Sequence, residues 1–271
     1  MKHKELQRFL VEDINRGDIT SELLSNKQIN ARIIARQNGI VAGTKYVKAL
    51  FVAKKCRVQV IRKDGQNIQA NQTVLQIEGP VKSILSCERT ALNLLSRMSG
   101  IATSTNQLVK KVKKISKKTD VYSTRKTAPG LRFFDKEAVE IGGGRKHRIT
   151  LSDMIMIKDN HIAAEGSIVE LIKKARKKAK LFEVEVDTFA DAILAATLGV
   201  PILMLDNFSP EMIKRTIKEL EKMHLRKKIR LEASGGINIK NIQDYARTGV
   251  DMISVGSITN SAPAVDFSLE V

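Results

Sequence analysis

Six short apolar runs in the second half of the chain, separated by amphipathic stretches, leave few folds open to it. The runs are Val121-Tyr122, Met154 to Ile157, Phe182 to Val186, Ile202 to Leu205, Ile229 to Glu232 and Met252 to Val255. Segments such as Ile168 to Ala179 and Pro210 to His224 carry helical periodicity between them. Strand-length runs alternating with helices predict right-handed βα units and a parallel sheet. Spacings of about twenty to thirty residues suit a barrel, complete or incomplete, ahead of a doubly wound sheet. Polar residues follow nearly every run: Ser123-Thr124-Arg125-Lys126, Lys158-Asp159-Asn160-His161, Glu185-Val186-Asp187, Asp206-Asn207, Ser234-Gly235-Gly236 and Gly256-Ser257. In a barrel all of them gather on the face holding the strand C-termini, where barrel sites are built.

The N-terminal part has a different texture. One helical segment, Lys4 to Asn15, precedes short β-branched runs at Ala31 to Ala35, Val58 to Arg62 and Thr73 to Ile77. Asp64-Gly65 marks a turn, and Gly79-Pro80 closes the last run before a helix. From Ser83 the positions Ile84, Leu85, Thr90, Ala91, Leu94, Leu95 and Met98 form the apolar stripe of one or two helices. The expected division is residues 1–102 as a small α/β domain and 103–271 as a barrel domain carrying the site, with the C-terminal tail free to pack back on the first.

Composition narrows the function classes. With 42% hydrophobic residues in 271, the chain is too apolar for a disordered protein. Its longest apolar runs fall far short of the ~20 residues that span a bilayer. The start carries Glu5, Glu12 and Asp13 and lacks an apolar segment leading to a cleavage site, so a cytoplasmic protein is expected. Cys56 and Cys87 lack Cys-x-x-Cys spacing and read as buried thiols, not as a disulfide or a zinc site. The net charge of +18 attracts polyanions at low salt. Much of that excess lies in lysine runs at 110, 111, 113, 114, 117 and 118 and at 173, 174, 177 and 178, which read as solvated helix faces.

Three groupings carry chemistry. Glu232-Ala233-Ser234-Gly235-Gly236-Ile237 and Ser254-Val255-Gly256-Ser257 follow neighbouring late runs, and glycine lets backbone N–H groups approach a phosphate. Basic loops at Thr124-Arg125-Lys126-Thr127 and Arg145-Lys146-His147-Arg148, with Lys158, suit an anionic substrate, because arginine forks match carboxylates bidentately. Glu185 and Asp206 close two neighbouring runs and suit ribose hydroxyls or a magnesium ion. The alternatives at these positions are helix caps, surface cations and salt bridges.

Read in order, these elements resemble the quinolinate phosphoribosyltransferase family. The likeness begins at Glu12-Asp13 and Gly17-Asp18-Ile19-Thr20, continues through Gly39-Ile40-Val41-Ala42-Gly43, and sharpens at Glu88-Arg89-Thr90-Ala91-Leu92-Asn93 and Ser99-Gly100-Ile101-Ala102. It is strongest over Thr124 to Arg132, Gly142 to Arg148, and Leu151-Ser152-Asp153 through Lys158-Asp159-Asn160-His161, and it closes with Glu183 to Val186 and Leu205-Asp206-Asn207-Phe208. The resemblance implies a small N-terminal α/β sandwich plus an open, atypical α/β barrel. It also implies transfer of phosphoribosyl from phosphoribosyl pyrophosphate to quinolinate with decarboxylation, giving nicotinate mononucleotide. By the same resemblance Arg125, His147, Arg148 and Lys158 bind the two carboxylates, and Arg89 joins them from the partner in a homodimer with a shared site, alone or within a hexamer. Lys126 faces the phosphoribosyl pyrophosphate, Glu185 and Asp206 stand near its ribose and Mg2+, and Ser234, Gly235, Gly236, Gly256 and Ser257 surround the 5'-phosphate. Lys126, Glu185 and Asp206 are thus the expected catalytic residues. Two departures stand out: Ser123 where an aspartate is expected, and Glu137 where an aromatic is usual. Both are expected to alter support around the site, not activity. Competing readings are a phosphoribosyltransferase for nicotinate or another heterocyclic acid, a paralogue linked to molybdenum transport, and a nucleic-acid binder using the +18 charge.

Overall fold

The computed structural model describes residues 2–271, so Met1 of the expected first domain lies outside them. The chain divides into two compact units: Met1–Ser104 with Glu137–Gly143 and Ala262–Val271, and Thr105–Lys136 with Gly144–Ser261.

The first unit opens with α1 (Lys2–Ile14). Its strands are β1 (Gln28–Ala35), β2 (Gly39–Ile40), β3 (Arg57–Val60), β4 (Asn67–Ile68) and β5 (Thr73–Pro80), with α2 (Thr44–Ala53) between β2 and β3. β5 runs directly into α3 (Val81–Ile115), one unbroken helix where the sequence allowed two. Pro80 marks the switch, since proline cannot donate to a sheet ladder and is tolerated where a helix begins. The main sheet is antiparallel, ordered β12-β1-β5-β3, with β12 (Phe267–Glu270) supplied by the C-terminal tail. Val265 N–H also donates to the Ser96 carbonyl at 3.1 Å. Gly100 permits that return: a Cβ there would stand 3.0 Å from Ala264 Cα. Ile33, Val74, Leu75, Leu50, Phe51, Ile84 and Leu95 are buried in this unit, as are the free thiols of Cys56 and Cys87.

In the second unit the six apolar runs become six strands of one parallel sheet: β6 (Asp120–Tyr122), β7 (Ile155–Ile157), β8 (Phe182–Val186), β9 (Ile202–Asp206), β10 (Arg230–Ser234) and β11 (Met252–Ser254). The order is β6-β11-β10-β9-β8-β7. The helices are α4 (Arg132–Ile141), α5 (Asp159–Glu165), α6 (Ile168–Lys178), α7 (Phe189–Thr197), α8 (Pro210–Lys222), α9 (Ile242–Ala246) and α10 (Ser257–Asn260). The edges β6 and β7 are neighbours in sequence, and the chain between them carries α4, whose second half belongs to the first unit. It returns at Arg145 with a single parallel bridge to Tyr122. The barrel is therefore open between β6 and β7.

Side chains alternate between the two faces of each strand. Glu185, Met204, Glu232 and Met252 lie at one level by register, and Asp206 pairs with Ser234 one step nearer the strand ends. The lysine-rich helix faces are largely solvated: Lys114, Lys118, Lys173, Lys174, Lys177 and Lys178 are exposed. Lys111 and Lys113 are half-buried and donate to the Ile239 carbonyl and to Asp120 Oδ1, each at 2.8 Å. Among the described residues no helix is long and apolar enough to cross a membrane.

Candidate active site at the mouth of the open barrel

Alternation along the strands turns one set of side chains inward, and at the C-terminal ends this set bounds a cavity of about 340 Å³. That size lies in the range of small-molecule sites. The lining changes in character around the sheet. The edge strands β6 and β7 and their loops bring Ser123, Thr124, Arg125, Lys126, His147, Arg148, Met156 and Lys158; β8 and β9 bring Glu185, Met204 and Asp206; β10 and β11 bring Glu232, Ser234 and Ser254. A second recess shares Glu185 and Asp206 with the first and adds Asp159, Asp187 and Asp191. A larger cavity of about 650 Å³ in the first unit is lined mainly by one sheet face, with Arg57 and Arg32 already facing Glu78 and Glu270.

The cations are prepared for an anion. Arg125 Nε is buried without an acceptor, a costly condition that an acceptor entering the cavity would relieve. The Arg148 guanidinium donates to the Met154 carbonyl at 3.3 Å and contacts Met156 Sδ at 2.9 Å. Burial, then the charge of Arg125, lowers its pKa. Lys158 Nζ donates to Glu185 Oε2 at 2.5 Å, joining the cationic wall to the acidic one. Lys126 is exposed and lies against Gly256, where a Cβ would meet its Cδ at 3.1 Å. The Lys126 carbonyl is held by the Thr259 hydroxyl at 2.7 Å.

The floor is acidic and dry. His147 Nε2 lies 3.2 Å from Glu232 Oε2 and 3.3 Å from Glu183 Oε2, both carboxylates being fully buried. Only the contact to Glu232 has hydrogen-bond geometry; both Glu183 oxygens, Glu232 Oε1 and Ser254 Oγ lack partners. Burial, the largest influence on Glu183, raises its pKa to about 7. For His147, burial opposes a charge while the two carboxylates favour one, carrying the pKa up to about 9. Geometry resists that charge, because Nδ1 already accepts the Arg148 backbone N–H at 2.8 Å. A proton on Nδ1 would set two N–H groups against each other, so we assign the neutral Nε2–H ring. His147, Glu183 and Glu232 are also the one grouping among the described residues whose ligand atoms are spaced for a metal ion. The Nε2–H assignment removes the imidazole as a ligand there.

Behind this floor, the Lys146 carbonyl accepts from Ser123 Oγ at 3.1 Å and from Lys136 Nζ. Lys136 is almost fully buried. Burial, followed by the charges of Arg132, Arg125 and Arg148, pushes its ammonium down to about 8. Ser123 therefore supports the 145–148 loop through its hydroxyl. Glu137, the other departure, pairs with Lys45 at 2.8 Å and accepts from the Tyr46 hydroxyl at 3.2 Å within the first unit.

Of the residues singled out in the sequence, Arg125, Lys126, His147, Arg148, Lys158, Glu185, Asp206 and Ser234 line one cavity. Gly235 and Gly236 follow Ser234, both with positive φ, and Gly256 precedes α10, whose first residue is Ser257. Arg89 is exposed on α3 in the first unit. Sequence reasoning assigned no role to Glu183, Glu232, Ser254 or Lys136. The period of two was the available signal for the strand residues, since Glu183 precedes Glu185, and Glu232 precedes Ser234, by one repeat. Lys136 follows no such rule; a lysine in a helix reads as solvated until its surroundings are known.

Comparison with known proteins agrees along the chain. Residues 101–270 match the family model described as quinolinate phosphoribosyl transferase, C-terminal domain, and residues 18–99 match that of the N-terminal domain. The chain is 46% identical over 255 residues to the probable nicotinate-nucleotide pyrophosphorylase (carboxylating) of Archaeoglobus fulgidus, covering 94% of this chain and 98% of that one. With the rat protein of that name it shares 34% over 266 residues, 97% of this chain and 88% of the other. Its fold is similar to the solved nicotinate-nucleotide pyrophosphorylase of Ehrlichia chaffeensis, with a TM-score of 0.93 at 37% identity, covering 99% and 97% of the two chains.

Proposed function

The chain belongs to the quinolinate phosphoribosyltransferase family, and from that premise we infer how its barrel mouth divides the work of the reaction. The enzyme transfers phosphoribosyl from phosphoribosyl pyrophosphate to quinolinate with decarboxylation, yielding nicotinate mononucleotide, carbon dioxide and pyrophosphate for NAD synthesis. We assign quinolinate to the cationic wall, where Arg125, Arg148 and Lys158 face its two carboxylates. The ribose of the second substrate is assigned to Glu185 and Asp206. Its 5'-phosphate is assigned to Ser234, Gly235, Gly236, Gly256 and Ser257, with Lys126 toward the phosphates. The single observation carrying this reading is the division of one cavity into a cationic wall, an acidic wall and a hydroxyl wall of Ser234 and Ser254.

Attack of the ring nitrogen on the anomeric carbon builds positive charge on the sugar as pyrophosphate leaves, and no protein nucleophile is needed. Glu185 and Asp206 are placed to stabilise that charge. Arg125, Arg148 and Lys158 offset the repulsion between a dianion and a polyphosphate held in one cavity. After transfer, the adjacent carboxylate leaves as carbon dioxide, its electron pair stays on the ring carbon beside the cationic nitrogen that stabilises it, and a proton from solvent takes its place. Glu185 and Asp206 are hard oxygen donors opening into two joined recesses, a set that fits a magnesium ion retaining several waters. Bound there, Mg2+ would supply positive charge beside the leaving pyrophosphate. A homodimer in which Arg89 of each chain completes its partner's site, alone or within a hexamer, belongs to the same proposal. So does a cytoplasmic setting, since both substrates are small polyanions that do not cross membranes unaided.

The test is incubation with quinolinate, phosphoribosyl pyrophosphate and magnesium, following nicotinate mononucleotide and carbon dioxide, with nicotinate in parallel. Product from quinolinate alone is expected. Product from nicotinate alone would overturn the assignment of two carboxylates to the cationic wall.

A further inference from the structure

We propose that Lys136 is a positioning residue for quinolinate: its ammonium, buried behind the cationic wall without a carboxylate partner, clasps the segment bearing Arg148 and lends the cavity a positive charge that the dianion offsets. The proposal rests on the reading of this cavity as the quinolinate site.

The argument begins on α4. Arg132 and Lys136 stand one helical turn apart and share a face of that helix. Arg132 donates to the Thr127 hydroxyl at 3.1 Å and to the Ile149 carbonyl at 3.2 Å, and Lys136 donates to the Lys146 carbonyl. One helix face thus holds the chain on both sides of Arg148. Like charges at this spacing disfavour a helix, and burial disfavours an ammonium, yet Lys136 is only 1% exposed. Arg132 on its own helix, Arg125 in the loop after β6 and Arg148 in the loop before β7 surround it with like charge. Asp153, also before β7, acts on it least. That carboxylate is engaged by the N–H groups of Ile149 and Thr150 and by the Thr150 hydroxyl. Ser123 explains why no closer anion is found. Its fully buried hydroxyl reaches the same Lys146 carbonyl at 3.1 Å, so a carboxylate at 123 would stand beside the ammonium, where serine leaves the charge unpaired. A buried charge without a partner is costly, and in a poorly polarisable interior its influence reaches well beyond contact distance. Arg125 and Arg148, which it adjoins, line the cavity, and Arg125 Nε lacks an acceptor. A dianion entering there favours the charged lysine. Binding should therefore raise the Lys136 pKa from about 8 and take up a proton at pH values where the free enzyme holds the amine neutral.

Titration calorimetry on the intact enzyme decides it. The wild-type Kd for quinolinate should weaken about tenfold between about pH 7 and pH 9.5, a pKa change of one unit being worth that factor. The Kd for phosphoribosyl pyrophosphate should move less than about threefold over the same range. Near pH 8.5, titrations in two buffers of different ionisation heat should show proton uptake with quinolinate. The arginines do not exchange protons in this range, and His147, next to the gripped carbonyl, is the other titratable group, so two variants separate it from Lys136. Lys136→Met should abolish the uptake and raise the Kd for quinolinate at pH 7 about tenfold. Ser123→Asp, which keeps the lysine and supplies the missing carboxylate, should flatten the pH dependence and raise that Kd about three- to tenfold. The second variant and the wild-type titrations suffice if the first does not fold. Absence of uptake in wild type, or uptake that persists in either variant, would overturn the proposal. So would equal weakening of both substrates, the mark of a merely structural lysine. Turnover of nicotinate and not quinolinate would sink the substrate reading along with this proposal, whereas turnover of quinolinate without the linked proton would sink this proposal alone.

Discussion

Arg148 is held by a backbone carbonyl and a thioether on the protein side and lines a cavity that must receive a dianion. Its replacement by alanine should raise the Kd for quinolinate by about ten- to a hundredfold, the range for losing charged hydrogen bonds, while the Kd for phosphoribosyl pyrophosphate moves by less than about threefold. Titration calorimetry with each ligand separately checks this, and an equal loss for both would place Arg148 elsewhere. Lys136 gives a prediction of stability. Its folded pKa of about 8 lies below the ordinary 10.5, so between those values the unfolded chain binds the extra proton and stability rises with pH. Below pH 8 the buried ammonium costs about 3 kcal/mol, at ~1.4 kcal/mol per pH unit. Denaturant melts at pH 8 and pH 10 should therefore show wild type gaining on Lys136→Met, and a constant difference between the two would refute a buried, charged Lys136. The sequence announced the cations in loops, Arg125, Arg148 and Lys158, because a loop position implies access. It did not announce Lys136, because burial of a lysine is decided by neighbours distant in sequence.

At the scale of the element, the turn after β10 concentrates most constraint in fewest residues. Gly235 has φ +91, and a Cβ there would stand 2.6 Å from the backbone nitrogen of Asn207, whose N–H donates to the Ser234 carbonyl at 2.9 Å. Gly235→Ala should therefore fail twice, through a left-handed backbone and through collision with the β9 turn, lowering stability by about 1–3 kcal/mol. The KM for phosphoribosyl pyrophosphate should rise more than that for quinolinate. Gly236→Ala, where a Cβ meets nothing within 4 Å, is the control carrying the backbone penalty alone. Thermal melts with paired KM values separate the two, and equal effects would deny the close approach. Elements of this kind were legible because apolar runs and glycine turns are local signals. What stayed hidden was the direction of each strand's alternation: Glu183 and Glu185 could be placed on one face, but whether that face looked into the barrel depended on sheet order, which has β6 and β7 at opposite edges despite their adjacency in sequence.

At the scale of the whole molecule, one expected site residue belongs to the first unit and not to the barrel unit. Arg89 is exposed on α3 within the first unit, whereas Lys126 lines the cavity of the second. If each site takes Lys126 from one chain and Arg89 from its partner, two separately defective variants should repair each other. Arg89→Ala and Lys126→Ala dimers should each be nearly inactive. Co-expressed with different tags, half the dimers pair one chain of each kind, and in these one site of the two holds both intact residues, restoring about a quarter of wild-type activity. Purification through both tags should raise that share to about half, because only mixed dimers survive. No recovery in doubly tagged dimers would mean that Arg89 serves its own chain or none. The net charge of +18 offers no substitute for this assignment: surface lysines on solvated helix faces strengthen attraction for any anion and weaken with salt, whereas complementation responds only to which chain supplies which residue.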